Sequence, residues 1–330
     1  MSVLVTGGAG YIGAHMLLAL QDAGETAIAL DNLSTGARWL VPDGTPLSVA
    51  DAGNEEALKK CFIEHNVQEV IHFAGSILVP ESIKHPLDYY ANNTGQTIAL
   101  LAACVEAGVK RFIFSSTAAV YGTPERAPVS EQADIHSITP YGASMAMSER
   151  ILEDAAAAHG ISYMTLRYFN VAGADPKGRA GEIGKPTHLI KVAAQIAVGA
   201  RKEKLKIYGD DYSTPDGTAI RDYVHVADLA QAHLEALEWL RGDGTSKILN
   251  CGYGRGSSVY EVLEAFRRVT GSPLPYEIAP RRAGDPPQLI ADNAAIRTTL
   301  DWRPRYDDID FIVETAIAWE RRLSEKQGVA

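Results

Sequence analysis

The chain has 330 residues, of which 46% are hydrophobic and 22% charged, and its formal net charge is −10. These values are typical of a globular protein, and the negative charge argues against a broad nucleic-acid-binding face. No apolar stretch reaches the roughly 20 residues that a membrane-spanning helix needs. No basic leader precedes the first predicted strand, so the sequence predicts a cytoplasmic protein without membrane association. The cysteines Cys61, Cys104 and Cys251 form no CxxC or Cys/His pattern and predict no metal site.

The first predicted elements are a strand and a helix separated by glycines. Residues 3–5 form an apolar run that predicts a buried strand, and Tyr11 to Ala23 has the pattern of a helix. The glycines are Gly7, Gly8, Gly10 and Gly13. Glycines let the backbone approach phosphates, and a helix N-terminus favours anions. The segment therefore predicts a turn that binds a dinucleotide pyrophosphate, the alternative being a glycine turn with no ligand.

A second predicted strand, Ala27 to Leu30, is followed by Asp31, 18 residues after Gly13. An acidic side chain at that distance suits a ribose 2′-hydroxyl and would repel a 2′-phosphate. The sequence therefore favours NAD over NADP as the cofactor.

Up to about residue 170, strand-like runs alternate with helix-like segments. The predicted strands are Ser2–Thr6, Ala27–Leu30, Pro46–Val49, Glu69–Phe73, Arg111–Ser115 and Tyr163–Phe169, and the further predicted helices are Asn54–His65, Pro86–Ala107 and Pro140–His159. This alternation predicts an α/β fold with a Rossmann-like, doubly wound parallel sheet that binds ligands beyond the C-terminal strand ends. We predict an NAD-binding domain over residues 1–173 and a smaller, mainly substrate-binding domain over 174–330. Segments such as Tyr223 to Asp228 are expected to return to the first domain.

The stretch after the strand at 111–115 carries candidate catalytic residues. It delivers hydroxyl groups, including that of Thr117, to the edge of the sheet beside the cofactor. Thr139 can cap the next helix with Pro140 in the first position, which places Tyr141 in the first turn and Met145 one turn later on the same face. A tyrosine on a helix is more often a core residue. Beside a dinucleotide site and a hydroxyl-bearing strand end, however, Tyr141 is a candidate catalytic group.

Motifs over nearly the whole chain carry a family resemblance; they lie at residues 7–13, 31–36, 72–75, 89–93, 115–122, 167–170, 187–190, 216–218, 221–228, 281–285 and 301–306. With them the chain resembles the UDP-glucose 4-epimerases (UDP-galactose 4-epimerases) of the extended short-chain dehydrogenase/reductase family. The resemblance implies that NAD takes a hydride from C4 of a UDP-hexose while a tyrosine removes the 4-hydroxyl proton. The 4-keto sugar then turns over, and the hydride returns to its other face. The resemblance also implies a homodimer that pairs the helices at 86–107 and 140–159.

The resemblance assigns roles residue by residue. Tyr141 matches the base, and Thr117 matches the residue that hydrogen-bonds the sugar hydroxyl. The implied cofactor contacts are Gly7, Gly10, Tyr11, Ile12, Gly13, Asp31, Asn32, Ser34, Gly36, Asp51, Ala52, Phe73, Ala74, Gly75, Asn92, Ser115, Tyr141 and Tyr168. The implied substrate contacts are Thr117, Tyr141, Asn170, His188, Leu189, Tyr208, Arg221, Arg282, Asp285 and Leu289. Among these, Arg221 and Arg282 match diphosphate-binding arginines, and Asp285 matches the residue that holds a ribose hydroxyl.

The chain departs from the family at two positions. An unperturbed tyrosine has a pKa near 10, so only about one in a thousand is ionised at pH 7, and nearby positive charge must lower that value. The family has a lysine four residues after the tyrosine that holds the nicotinamide ribose and depresses this pKa. Met145 stands there with neither charge nor donor, and the apolar Ile77 stands near the position of a second family lysine. We therefore predict that NAD binding survives and that turnover is impaired.

Three other readings of the site differ in how well the residues support them. A sugar-nucleotide 4,6-dehydratase needs an Asp-Glu pair directly after the threonine, and Ala118-Ala119 occupy those positions. Epimerisation of another UDP sugar, such as a pentose, stays open. A catalytically silent protein that binds NAD, either alone or together with a UDP-sugar, also stays open, and Met145 is the only residue that supports it. The bulk of Leu289, at a position that gates pocket size in the family, favours plain glucose and galactose over N-acetyl sugars.

Overall fold

The computed structural model describes residues 2–184, 187–282 and 284–326. Its strands are β1 Ser2–Thr6, β2 Ala27–Asp31, β3 Leu47–Val49, β4 Val67–His72, β5 Arg111–Thr117, β6 Ser162–Tyr168, β7 Asn170–Ala172, β8 Leu205–Tyr208, β9 Ile220–His225, β10 Lys247–Cys251, β11 Gly256–Ser258, β12 Tyr276–Ala279 and β13 Gln288–Leu289. Its α-helices are α1 Tyr11–Asp22, α2 Glu55–His65, α3 Val79–Lys84, α4 Pro86–Tyr89, α5 Gln96–Ala107, α6 Pro140–His159, α7 Leu189–Ala197, α8 Val226–Arg241, α9 Val259–Thr270, α10 Ala294–Leu300 and α11 Ile309–Lys326. Within these ranges no helix combines the length and apolar character that crossing a membrane requires.

A seven-stranded sheet forms the centre, in the order β10-β6-β5-β4-β1-β2-β3, and all its strands are parallel. Helices cover both faces, as the alternation along β1 shows. Val3 and Val5 belong to one core cluster with Met16 of α1, whereas Leu4 belongs to another with Leu58 of α2. A strand buried on both faces needs a continuous apolar run, which residues 3–5 provide. The predicted Rossmann-like, doubly wound sheet is confirmed.

The second half of the chain contributes to this sheet and also builds smaller ones. Strand β10 pairs with β6 at one edge, and α8 packs against α1. Strand β9 pairs with β7, β11 and β13, and β8 pairs with β12. Residues 223–225 thus lie in a small sheet and residues 226–228 begin α8. The division into domains at residue 173 stays a prediction.

The helix predicted over Pro86–Ala107 is interrupted. It consists of α4, a π-helical segment at Tyr90–Gly95 and α5. In the π-helical segment, Asn93 accepts the backbone N–H of Ser76 at 2.7 Å and donates to the Ser144 hydroxyl at 3.0 Å. The extra residue in the turn lets the asparagine side chains face the end of β4 rather than follow regular α spacing.

Candidate active site

The glycine turn between β1 and α1 is tightly closed. Gly7 has a φ of +68°, and a Cβ on Gly13 would lie 2.1 Å from the Gly7 carbonyl oxygen. Gly10 caps α1 without a side-chain hydrogen bond, so the capping residue itself has no side chain that could block the first-turn N–H groups. The Tyr11 hydroxyl donates to the Gly173 carbonyl at 2.7 Å, and Ile12 packs against the core. The turn therefore fits a pyrophosphate through its backbone, while the Tyr11 side chain links it to Gly173, directly after β7.

Asp31 ends β2 directly beside this turn. Its carboxylate accepts the N–H of Ala9 at 3.0 Å and that of Leu33 at 2.7 Å. A carboxylate has about four acceptor positions, so capacity remains for ribose hydroxyls. The adjacent predicted residues surround it: Asn32 donates to Asp51 at 2.7 Å and accepts from Ser34 N–H at 2.9 Å, Gly36 lies against Ala9, and Ala52 is buried. This arrangement fits the adenosine ribose of a dinucleotide.

The end of β4 forms the opposite wall of the turn. A Cβ on Gly7 would lie 2.8 Å from the backbone nitrogen of Ala74, so Phe73 and Ala74 contact the glycine turn directly. Gly75 lies against Asn93, and Asn92 donates to the Ser76 hydroxyl at 2.9 Å. Ile77, by contrast, is 53% exposed. The predicted cofactor residues of this segment thus lie together, and Ile77 supplies no charge beside them.

His233, from the middle of α8, joins the ends of three strands. Its Nε2 lies 2.9 Å from the Ser115 hydroxyl, and its ring centroid lies 4.8 Å from that of Phe73 and 6.3 Å from that of Tyr168. Burial lowers its pKa to about 4, so the imidazole is neutral. The sequence analysis missed this residue because it lies outside every recognised motif, five residues after the one at 221–228.

Thr117 and Tyr141 lie together at the C-terminal edge of the sheet. The Thr117 hydroxyl accepts the N–H of Ala119 at 3.1 Å. Thr139 caps α6 by accepting the N–H of Gly142 at 3.2 Å, which places Tyr141 in the first turn as expected. Burial raises the pKa of Tyr141, and a hydrogen bond with Thr117 partly offsets that rise. The two hydroxyls can therefore act on one substrate hydroxyl.

Met145 packs in the same core cluster as Tyr141 and is 9% exposed. Its thioether lies one turn along α6 on the face that carries the tyrosine. Within the part of the chain that the structure describes, no lysine or arginine lowers the pKa of Tyr141. The phenol is therefore a poorer base than it would be beside a cation.

Several predicted substrate residues lie on or beside β9. Arg221, on β9, donates to the Asp285 carboxylate and to the Ile220 carbonyl, and Leu289 of β13 pairs with Arg221 in register. Asn170 of β7 lies beside the same strand. The guanidinium of Arg282 lies 3.8 Å from the centroid of the Tyr208 ring. The Arg221 guanidinium and the Asp285 carboxylate thus lie together, and the Arg282 guanidinium packs on Tyr208. Guanidinium groups of this kind suit recognition of a nucleoside diphosphate.

His188 precedes α7, and Leu189 begins it. The His188 Nδ1 lies 2.9 Å from Glu182 Oε1. Burial lowers the pKa of His188, but the hydrogen bond and charge of Glu182 outweigh it, so the net pKa is raised, although the charge of Arg282 opposes the rise. Glu182, which the sequence analysis did not name, thus orients a predicted substrate residue near Arg282.

Leu289 also packs against the cluster that contains Tyr141, so the nucleotide-binding side and the tyrosine share a wall. In the described ranges no group of three or more His, Cys, Asp or Glu could hold a metal ion. The site therefore consists of a dinucleotide turn, a hydroxyl pair and an arginine-carboxylate group.

Comparison with known proteins agrees with this geometry. The sequence profile of the NAD dependent epimerase/dehydratase family matches residues 3–252. The chain is 54% identical over 329 residues to a UDP-glucose 4-epimerase of Azospirillum brasilense, which covers 99% of this chain and 94% of that protein. It superposes with a TM-score of 0.93 on the UDP-glucose 4-epimerase of Brucella ovis in complex with NAD, with 43% identity and coverage of 96% and 97%.

A second solved structure gives the same picture. The UDP-glucose 4-epimerase of Bifidobacterium longum, in complex with NAD+ and UDP, superposes with a TM-score of 0.92 at 37% identity, covering 100% of this chain and 99% of that one. The chain therefore belongs to the NAD dependent epimerase/dehydratase family and resembles UDP-glucose 4-epimerases over nearly its whole length.

Proposed function

We propose that the chain is an NAD-dependent UDP-hexose 4-epimerase that interconverts UDP-galactose and UDP-glucose. The observation that carries this proposal is the Thr117–Tyr141 pair at the sheet edge, in a chain that also has the dinucleotide turn and the Arg221–Asp285 group. Family membership and relatives solved with NAD and UDP support the cofactor and the nucleotide.

NAD, when bound, supplies a hydride acceptor for C4 of the sugar. The glycine turn would hold its pyrophosphate and Asp31 an adenosine ribose hydroxyl, where a 2′-phosphate would be repelled. Thr117 hydrogen-bonds the sugar 4-hydroxyl, and Tyr141 takes its proton and later returns it. Arg221 and Arg282 bind the diphosphate, and Asp285 binds the uridine ribose once substrate replaces its contact with Arg221.

Met145 limits this chemistry because nothing cationic replaces the family's lysine. A pKa displacement of two to three units corresponds to roughly 3–4 kcal/mol, or a hundred- to a thousandfold in the ionised fraction of Tyr141. The helix N-terminus near Tyr141 offsets part of this loss. The chain is therefore proposed to bind its ligands normally and turn over slowly.

The decisive experiment compares UDP-galactose turnover by the unaltered chain and by Met145→Lys. We expect Met145→Lys to be faster by about a hundredfold or more. Ile63→Lys is the control, because it also replaces an apolar side chain by lysine but at an 82% exposed position on α2, outside the helix of Tyr141, and it should leave turnover unchanged. Equal turnover by the unaltered chain and Met145→Lys would contradict the proposed impairment.

Binding of UDP-galactose, measured by calorimetry, separates the remaining alternatives. A silent protein that binds only NAD would not bind the nucleotide sugar. Binding without turnover, even by Met145→Lys, would redirect the proposal to other UDP sugars, with UDP-pentoses tested next.

We also propose a homodimer. Helices α3 to α6 expose large apolar side chains, namely Ile83 (54%), Leu87 (78%), Ile98 (50%) and Met147 (49%). These helices pack against one another, so their exposed residues can form one surface for a second copy of the chain. The cytoplasmic location stays a prediction from the sequence.

A further inference from the structure

A buried polar network underlies the Thr117–Tyr141 pair, and the proposed reaction does not use it directly. The Glu149 carboxylate accepts Arg167 Nε at 3.0 Å and Arg167 Nη2 at 2.6 Å, and it also accepts the Ser116 hydroxyl. Glu149 and Arg167 are each 4% exposed, and Ser116 is fully buried. Burying an ion pair this deeply removes the hydration of both charges, and this free-energy cost can exceed their mutual attraction. A role of the pair other than stabilisation is therefore expected.

The network joins the elements that carry the hydroxyl pair. Ser116 directly precedes Thr117 in β5, and Arg167 of β6 pairs with Ser116 in register. Glu149 lies eight residues after Tyr141 on α6, or about two turns along the same helix. One carboxylate therefore ties the helix of Tyr141 to the strand of Thr117.

The network continues beyond the ion pair. Arg167 Nη1 donates to the Tyr121 hydroxyl at 3.0 Å, and that hydroxyl donates to Asn250 Oδ1 at 2.7 Å. Asn250 Nδ2 in turn donates to the Val129 carbonyl at 2.9 Å. The 3₁₀ turn 118–121, which follows Thr117, is thereby tied to β10.

Neither electrostatics nor stability accounts for this ion pair. Burial and Thr117 shift the pKa of Tyr141, and neither Glu149 nor Arg167 contributes. Stability does not require the pair either, since apolar side chains of similar volume often serve as well. A bidentate pair differs from an apolar contact in fixing both distance and direction.

We propose that Glu149 and Arg167 are positioning residues that hold the Tyr141 hydroxyl in register with that of Thr117. This inference rests on the proposed epimerase function. Displacing reacting groups by about 1 Å can cost on the order of a hundredfold in rate, so a rigid link between α6 and β5 has a direct effect on turnover.

The test uses Glu149→Gln in the Met145→Lys background, with Glu69→Gln as the matched control. Glu69 is also a buried carboxylate, 1% exposed and bound to Arg241 at 2.6 Å and Arg111 at 3.2 Å, but it lies near the other end of the strands. We expect Glu149→Gln to lower kcat for UDP-galactose about tenfold or more while KM changes less than about twofold. The midpoint of the kcat–pH profile should not move. Glu69→Gln should lower Tm but keep kcat within about twofold.

The neutral double variant Glu149→Gln/Arg167→Met keeps the test valid if the single variant folds poorly. A positioning role predicts that the double variant regains Tm but not kcat. Recovery of kcat together with Tm, a shifted pH midpoint, or equal kcat in Glu149→Gln and Glu69→Gln would each overturn the proposal.

Hydrogen exchange provides a readout that does not need turnover. We expect Glu149→Gln to raise amide exchange in residues 118–121 and 141–145 about tenfold, and Glu69→Gln to leave it unchanged. If Met145→Lys does not convert UDP-galactose, the proposed function fails on its own. Unchanged exchange in both variants would overturn the positioning role.

Discussion

The Tyr141 phenol lies in an apolar environment that opposes its ionisation. Burial raises its pKa. Among the described residues, Thr117 is the only one whose hydrogen bond lowers that pKa. The sequence predicted this weakness from Met145 alone, because a cation four residues along a helix lies on the same face. The sequence could not show that Arg167, on the neighbouring strand β6, is neutralised by Glu149 and so cannot take the place of the missing lysine.

The pH dependence of turnover follows from this residue. The base must be ionised, and a raised pKa means that the ionised fraction grows about tenfold for each pH unit below that pKa. We expect kcat of the unaltered chain to rise steadily from pH 7 to pH 10. In Met145→Lys the rise should end at lower pH. A flat profile for the unaltered chain would show that Tyr141 ionisation does not limit the rate.

Leu289 is expected to set the size of the accepted sugar, since it packs against the cluster containing Tyr141 and pairs with Arg221 in register. In the Met145→Lys background, Leu289→Ala should raise the ratio of kcat/KM for UDP-N-acetylglucosamine to that for UDP-glucose by about tenfold or more. Ile63→Ala, at an 82% exposed position on α2, is the control. Efficient use of the N-acetyl sugar without the Leu289 change would contradict this assignment.

At the scale of elements, local signals predicted some boundaries well and others poorly. Helix α6 begins and ends as predicted, because Thr139 caps it, Pro140 occupies the first position and Gly160 is left-handed at φ +69°. The π-helical segment at 90–95 was not predicted. Its cause is the contact of Asn93 with Ser76 and Ser144, which are distant in sequence.

The exposed apolar faces of α3 to α6 predict a measurable association. Leu87→Glu should convert the proposed dimer to a monomer at micromolar concentration, because it places a charge where apolar contact is expected. Ile63→Glu, at an 82% exposed position on α2, should leave the association unchanged. Sedimentation velocity distinguishes the two states. A monomeric unaltered chain would refute the homodimer.

For the whole molecule, sequence periodicity predicted the parallel sheet but not its seventh strand, β10. Strands β1 to β6 follow the predicted alternation, whereas β10 joins β6 from far along the chain. The substrate residues were assigned by resemblance, and only the folded chain places Arg221 beside Asp285. Their roles stay proposals until substrate contacts are tested.

Stability should depend on pH through four buried histidines. Burial lowers the pKa to about 4 for His15, His72 and His233, and to about 3 for His225. The unfolded chain protonates them near pH 6.5, so between pH 6.5 and about 4 it binds more protons than the folded chain. The free energy of unfolding therefore decreases as the pH is lowered through that window, by up to about 1.4 kcal/mol per pH unit for each histidine.

Denaturant titrations at several pH values check this expectation. Burial raises the pKa of Asp222 to about 6 and also raises the pKa values of Asp228, Glu235 and Glu320, and these carboxyl groups act in the opposite direction, so the histidine contribution is isolated by substitution. Replacing the exposed His136 by glutamine should leave the slope unchanged, and replacing His233 should reduce it. Constant stability from pH 7 to pH 5 would contradict the prediction.

The late pairing of β10 with β6 has a consequence for synthesis on the ribosome. The nascent chain completes the dinucleotide turn, Thr117 and Tyr141 long before Lys247–Cys251 emerges. Until then β6 presents an open strand edge, and unpaired edges promote association between neighbouring chains. A fragment that stops at residue 173 would keep this edge permanently, so the first half of the chain depends on the second to avoid aggregation during translation.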